Sequence, residues 1–133
     1  MVQVQVTATV KVAGGPTVPA TVSLSPDTYA FGSVHLDAAG GAADGADVAL
    51  LPDGGDVSLL AINVRPVSGD ARSVTVVPKH DADTGDALTV DGSLLVANAG
   101  VLAALVTGSP RTLTISNLAA VEVDVDVLAA RVD

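Results

Sequence analysis

The chain has 133 residues, with 6 Lys+Arg against 15 Asp+Glu and a formal net charge of −9. That balance gives no attraction to phosphate backbones or anionic bilayers, so neither nucleic acid nor a membrane is an expected partner. The absence of cysteine removes disulfides, thiolate nucleophiles and Cys-ligated zinc or iron–sulfur centres.

A chain of this length suits one domain that buries roughly two-thirds of its unfolded surface. Hydrophobic residues make up 49%, but Val and Ala supply most of them, and Tyr29 and Phe31 are the only aromatics. The expected core is therefore one of small side chains, each missing methylene forgoing about 0.8 kcal/mol of burial. Met1-Val2-Gln3-Val4 shows neither the basic start nor the apolar stretch of a secretory peptide, which sets the expectation of synthesis in the cytoplasm. The longest apolar run, residues 101–106, falls well short of the roughly 18 residues of a membrane span.

Residues 2–12 alternate Val, Val, Val, Ala, Val, Val with Gln, Gln, Thr, Thr, Lys, the period-2 pattern of a half-buried strand. Ala13-Gly14-Gly15-Pro16 ends it, and a second strand is expected over 17–24, where Pro19 points to an edge or a bulge. Ser25-Pro26-Asp27 reads as a turn. A short strand over 29–36 carries both aromatics. Residues 37–47, rich in Gly, Ala and Asp, offer almost nothing to bury and read as a surface loop, mobile unless a neighbour holds it. After the turn Pro52-Asp53-Gly54-Gly55-Asp56, residues 57–64 are apolar at both parities, as expected of a core strand covered on both faces.

Residues 72–77 alternate again and are expected to close at Pro78. A polar excursion covers 79–86, and further apolar pieces lie at 88–90, 93–97 and 101–106, the last fitting one or two helical turns. Residues 111–117 set Leu113 and Ile115 on one face with threonines opposite. The finish is the clearest pattern: Val121, Val123, Val125 and Val127 point one way and Glu122, Asp124 and Asp126 the other. Beyond it, 128–132 break parity, a sign of a bulge or of burial on both sides. About eight to ten short strands with turn signals every 8–12 residues predict an all-β fold, an antiparallel β-sandwich of jelly-roll-like or Ig-like type.

Candidate chemistry is sparse. Asp81, Asp83 and Asp86 have the oxygen donors of a calcium loop, yet Gly85 falls at the fifth position of the run and Gly92 at the twelfth, where an EF-hand needs glycine at the sixth and glutamate at the twelfth. A solvated Asp/Gly turn is the better reading, and no metal or other cofactor is assigned. The row Glu122, Asp124 and Asp126 reads as a hydrated strand face or an oligomer-facing row met by arginine. A glycosidase pair would need a cleft and aromatic platforms that two aromatics hardly provide. His35 is expected as a hydrogen-bonded structural residue and His80 as a surface one. No nucleophile elbow, phosphate loop or metalloprotease helix motif occurs, so no catalytic residue is assigned and the expectation is of a protein that is not an enzyme.

The first strand, β-prone and guarded only by Lys11, offers an edge that a soluble monomer would normally blunt. The expectation is one sandwich over 1–133, with residues 1–15 as an arm that pairs with a neighbouring subunit through Val2, Val4, Val6, Val10 and Val12. Residues 53–132 resemble the small β-sandwich virion proteins of tailed bacteriophages, of the head-decoration or minor-capsid type. The resemblance is carried by Gly55-Asp56-Val57-Ser58-Leu59-Leu60-Ala61-Ile62-Asn63-Val64, by Ser73-Val74-Thr75-Val76-Val77-Pro78, by Gly108-Ser109-Pro110 before Leu113-Thr114-Ile115-Ser116-Asn117, and by Val123-Asp124-Val125-Asp126-Val127-Leu128. It implies a non-enzymatic decoration protein, assembled in the host cytoplasm and bound to the major capsid protein on the capsid exterior as a homo-oligomer, with a trimer favoured. A tail or baseplate component and a bacterial glycan- or envelope-binding module are the alternatives.

Overall fold

The computed structural model describes residues 3–11, 13–26, 28–51, 55–67, 69 and 73–131; Val2 and Val12 lie outside them, as do the side chains of Val10 and Val22. The described elements are eleven strands and one helical turn: β1 (Val4–Lys11), β2 (Thr17–Leu24), β3 (Thr28–Leu36), β4 (Gly45–Ala49), β5 (Leu59–Pro66), β6 (Ser73–His80), β7 (Asp83–Thr84), β8 (Leu88–Asp91), β9 (Ser93–Val96), α1 (Ala99–Ala103), β10 (Thr112–Asn117) and β11 (Val123–Arg131). Strands β3 to β11 form an antiparallel sandwich, the expected fold class. One sheet runs β4-β10-β6-β7 with β8 also on β6, and the other runs β3-β11-β5-β9.

Period-2 alternation turns one parity of each strand inward. Val74, Val76, Leu113 and Ile115 from the first sheet meet Leu60, Ile62, Val64, Val123, Val125 and Val127 from the second, all buried. Leu50, Leu51 and Val57 close the space from the connection between β4 and β5. In the single turn of α1, the side chain of Asn98 accepts from the Val101 N–H at 3.1 Å and Leu102 is fully buried. Seven leucines and two isoleucines stand in the buried set beside the valines, so the core is less slight than the Val and Ala content implied.

Two expectations are corrected, and two that left alternatives open are resolved. The first strand does not stand as a single arm over 1–15: β1 pairs with β2 of its own chain in unbroken register from Val4↔Leu24 to Lys11↔Thr17, so the arm is a hairpin reaching residue 24. Pro19 sits in that register opposite Thr9, on a strand whose partner among the described strands is β1 alone, which is the edge position rather than a bulge. The strand of residues 72–77 does not close at Pro78. Pro78 is paired with Leu113 inside β6, and its carbonyl accepts from the Gly85 N–H at 2.8 Å. A residue's N–H and C=O leave a strand on the same side, so the missing N–H of Pro78 faces the place where the outer neighbour of β6 changes from β8 to β7, not β10. Finally, β11 keeps register with β3 through Arg131↔Thr28 and with β5 through Ala130↔Leu59. The parity break after Val127 is burial on both sides, at Ala129 and Ala130, and not a bulge.

Residues 37–44 form a pinned turn. Asp37 N–H donates to the Ala43 carbonyl at 2.9 Å, and Ala43 N–H returns to Asp37 Oδ2 at 3.1 Å. Asp44 accepts from Gly40 N–H through Oδ2 at 3.0 Å and from Asn117 N–H through its carbonyl at 2.7 Å. The neighbour that holds the loop is thus the end of β10. Loop-like composition also hid β4, which begins at Gly45 and pairs with β10 from Thr112↔Ala49 to Ser116↔Gly45.

Candidate functional site

The outward side of the β3-β11-β5-β9 sheet carries the polar face anticipated for Glu122, Asp124 and Asp126. Cross-strand register sets His35 beside Asp124 and Arg65 on its other flank, then Ser33, Asp126, Asn63 and Ser93 in the next rung. Directly opposed side chains on a sheet stand close enough for hydrogen bonds. His35 Nδ1 lies 2.7 Å from Asp124 Oδ1, and its Nε2 lies 3.5 Å from Glu122 Oε1. Arg65 grips Asp126 with Nε to Oδ2 at 2.8 Å and a terminal nitrogen to Oδ1 at 3.0 Å, while Ser33 Oγ donates to the same Oδ1 at 2.7 Å. The arginine that meets the row thus comes from the neighbouring strand of the same chain, whereas the sequence reading sets it on an oligomer-facing row.

The electrostatics follow. The Arg65 guanidinium first, and the Ser33 hydroxyl second, hold the Asp126 carboxyl below its ordinary value of 3.8. The Asp124 hydrogen bond raises the His35 imidazole above 6.5, with Glu122 adding to it and partial desolvation opposing. Ser33, His35 and Asp124 share this face, but the Ser33 hydroxyl is given to Asp126 and not to the imidazole. A serine–histidine relay is not made in this arrangement.

His35, Asp37 and Glu122 bring one ligand atom each to within 4.8 Å of one another. With Asp124 holding the Nδ1 proton, Nε2 is left to face Glu122, and among the described residues these three form the group that could hold a divalent cation. Water has ready access, since the side chains of His35 and Glu122 are about half exposed. Sequence reading missed this grouping because residues 35–37 and 122 are far apart in the chain and only the pairing of β3 with β11 joins them. The anticipated Asp81, Asp83 and Asp86 lie elsewhere: Asp81 at the β6–β7 turn with φ +51°, Asp83 opposite His80 on β7, and Asp86 in the loop that follows, all exposed. His80, expected on the surface, is 17% exposed, with Nδ1 at 2.6 Å from the Ser109 carbonyl.

Beside the polar rungs the same sheet face turns apolar. Phe31, Leu128, Ala61 and Leu95 occupy one rung across all four strands, and Phe31 and Leu95 are 65% and 47% exposed. A shallow groove of about 340 Å³ runs between this rung and Asn63, Ser93 and Asp126.

The other unfilled surface is the arm. Its register sets Val4, Val6 and Ala8 on one face with Leu24, Ala20 and Val18, while Gln5, Thr7, Thr9 and Lys11 take the other face with Ser23, Thr21, Pro19 and Thr17. Val18 is 61% exposed, and among the described residues none of β1 or β2 belongs to the hydrophobic core or to the partly buried hydrophobics packed against it. Of the anticipated association residues, Val4 and Val6 are brought together here; Val10 is in β1, opposite Val18.

Fold and surface together define a class: an antiparallel β-sandwich with an ion-paired sheet face and an amphipathic hairpin arm. Comparison with protein-family models, with curated proteins and with solved structures finds no match.

Proposed function

We propose that this protein is a non-enzymatic structural subunit that joins a larger protein assembly through its β1–β2 arm, and that the assembly is the exterior of a phage head, with the major capsid protein as partner. The observation that carries the reading is the arm: a two-stranded sheet paired with no other strand among the described residues, with Val4, Val6, Ala8, Val18, Ala20 and Leu24 on one face. An isolated hairpin is at best marginally stable in water, so a face of Val, Ala and Leu that its own core leaves uncovered calls for a partner. Charge supports the reading. All fifteen acids lie at or beyond Asp27 and the arm's one charged residue is Lys11, which suits an arm that anchors and a body that faces solvent, away from packaged nucleic acid. The virion as the particular assembly rests on the sequence resemblance over residues 53–132.

In particles assembled with this chain, electron microscopy is expected to find it on the outer surface of the head. A chain lacking residues 1–26 is expected to stay in the soluble fraction. Location on the tail transfers the reading to a tail component, and absence from particles overturns it.

A further inference from the structure

We propose that His35, Asp37 and Glu122 bind one divalent cation of the zinc type. The proposal is independent of the association reading, since all three residues lie in the body and none in the arm. Pairing sets His35 opposite Asp124 and Leu36 opposite Val123, and one step further along the same register Asp37 faces Glu122. Residues 35, 37, 122 and 124 thus make a two-by-two block on the outer face, at one end of the β3-β11 pair. One ligand atom from each of His35, Asp37 and Glu122 falls within 4.8 Å of the others, and His35 Nε2 stands 3.5 Å from Glu122 Oε1. Two ligands on one tetrahedral zinc lie about 3.4 Å apart, so this imidazole and this carboxylate already have the spacing of a shared ion.

Each donor is aimed by a group that is not itself a ligand. Asp124 Oδ1 takes the Nδ1 side of His35 at 2.7 Å, the carboxylate–histidine–metal arrangement that fixes which nitrogen a cation meets. The Asp37 carboxyl accepts from Ala43 N–H through Oδ2 at 3.1 Å, and a carboxylate has about four acceptor sites, so this bond orients it without filling it. Behind it, the Asp37 carbonyl is held at 2.9 Å by Nδ2 of Asn117, which is 2% exposed. The Glu122 carbonyl is held by Val67 N–H at 3.0 Å. Charge draws a cation to the same spot. Arg65 gives both of its bonds to Asp126, and among the described residues Glu122 and Asp124 have His35 as their only ion-pair partner. One imidazole nitrogen with two carboxylate oxygens favours zinc over calcium or magnesium, which prefer oxygen alone. The half-exposed His35 and Glu122 leave room for water at the fourth position. A bound ion ties the end of β3 and the 37–44 turn to the entry of β11, which makes it a structural clip.

The test titrates the untagged full-length chain, freed of metal by chelation, with zinc, calcium and magnesium chloride by calorimetry at about pH 8, where the imidazole is in the neutral form that a metal takes. The expected result is one Zn²⁺ per chain, with Ca²⁺ and Mg²⁺ bound at least about tenfold more weakly. Nitrogen NMR is expected to show Nε2 of His35 shifting with zinc while His80 stays, and amide exchange to slow over residues 37–44. Glu122→Gln and Asp37→Asn are each expected to weaken zinc binding by about tenfold or more, and His80→Gln to leave it unchanged. Asp124→Asn keeps all three ligands and is expected to lose about 10–100-fold in affinity through the lost orientation of His35. Metal-free melting temperatures confirm that each variant is folded. Absence of zinc binding, a shift at His80 in place of His35, calcium bound as tightly as zinc, or affinity unchanged in Glu122→Gln and Asp37→Asn overturns the proposal.

Discussion

Asn117 is the buried polar residue on which one end of the sandwich depends. It is 2% exposed, and its Nδ2 donates to the carbonyls of Asp37 at 2.9 Å and Val121 at 2.7 Å, while Oδ1 accepts from Ala119 N–H at 2.9 Å. Truncation leaves several main-chain groups without partners, at about 1–3 kcal/mol for each one buried. Asn117→Ala is expected to lower unfolding stability by about 3 kcal/mol, read by urea titration, and to speed amide exchange in residues 37–44. Gly32 presents the opposite case. It stands in β3 beside a void of about 160 Å³ lined by Val48, Val127 and Ala129, and a Cβ built there meets nothing within 4 Å. Gly32→Ala is expected to stabilise by about 0.4–1 kcal/mol, because alanine restricts the unfolded chain and fits this backbone; a lower melting temperature would contradict it. Gly85 permits no such change, since a Cβ there would strike the Leu105 carbonyl.

Among the elements, β11 joins the fold to its polar face, and its ion pairs give the molecule a pH signature of known sign. The folded-state pKa of His35 is raised above 6.5 by Asp124, so the stabilisation from this pair is fully present below pH 6.5 and is lost as pH rises through the folded value. Asp126 is lowered by Arg65; its contribution is present above pH 3.8 and is lost as pH falls through the folded value. His35→Gln is expected to lower the melting temperature at pH 5.5 and to leave it nearly unchanged at pH 8.5; an equal loss at both would show that the imidazole charge is not involved. The face was legible in sequence because Val and acid alternate strictly over residues 121–127, and a period of two fixes which side is wet. Strands β2 and β10 were legible for the same reason. What stayed hidden depends on pairing. Gly45, Ala46 and Asp47 have weak strand preference, yet β10 draws them into β4 through Thr114↔Asp47, where Thr114 Oγ1 donates to Asp47 Oδ1 at 2.6 Å. The grouping of His35 with Glu122 and the arginine facing Asp126 likewise exist only once β3, β11 and β5 lie side by side.

The whole molecule divides into a body that holds itself together and an arm that does not. Every residue of the hydrophobic cluster, from Leu36 to Ala129, belongs to the body, and its two sheets cover each other's inner faces. Among the described residues the strands of the arm pair only with each other, and a two-stranded pair with an uncovered apolar face lies at the low end of local stability. Composition alone suggested that the interior as a whole was too slight to stand by itself; the leucines of β5, β10 and the β4–β5 connection make the body the stronger part. In the reading proposed above, the need for a partner lies in the arm. Two measurements check this division. Removing residues 1–26 is expected to leave the melting temperature of the body within a few degrees of the full chain, because no cluster residue is lost. Amide exchange of the dilute full chain is expected to be orders of magnitude faster in β1 and β2 than in β5, β10 and β11. Arm amides as slow as those of β11 in the dilute monomer would show that the arm is already covered by its own chain, and its anchoring role would lose its physical basis.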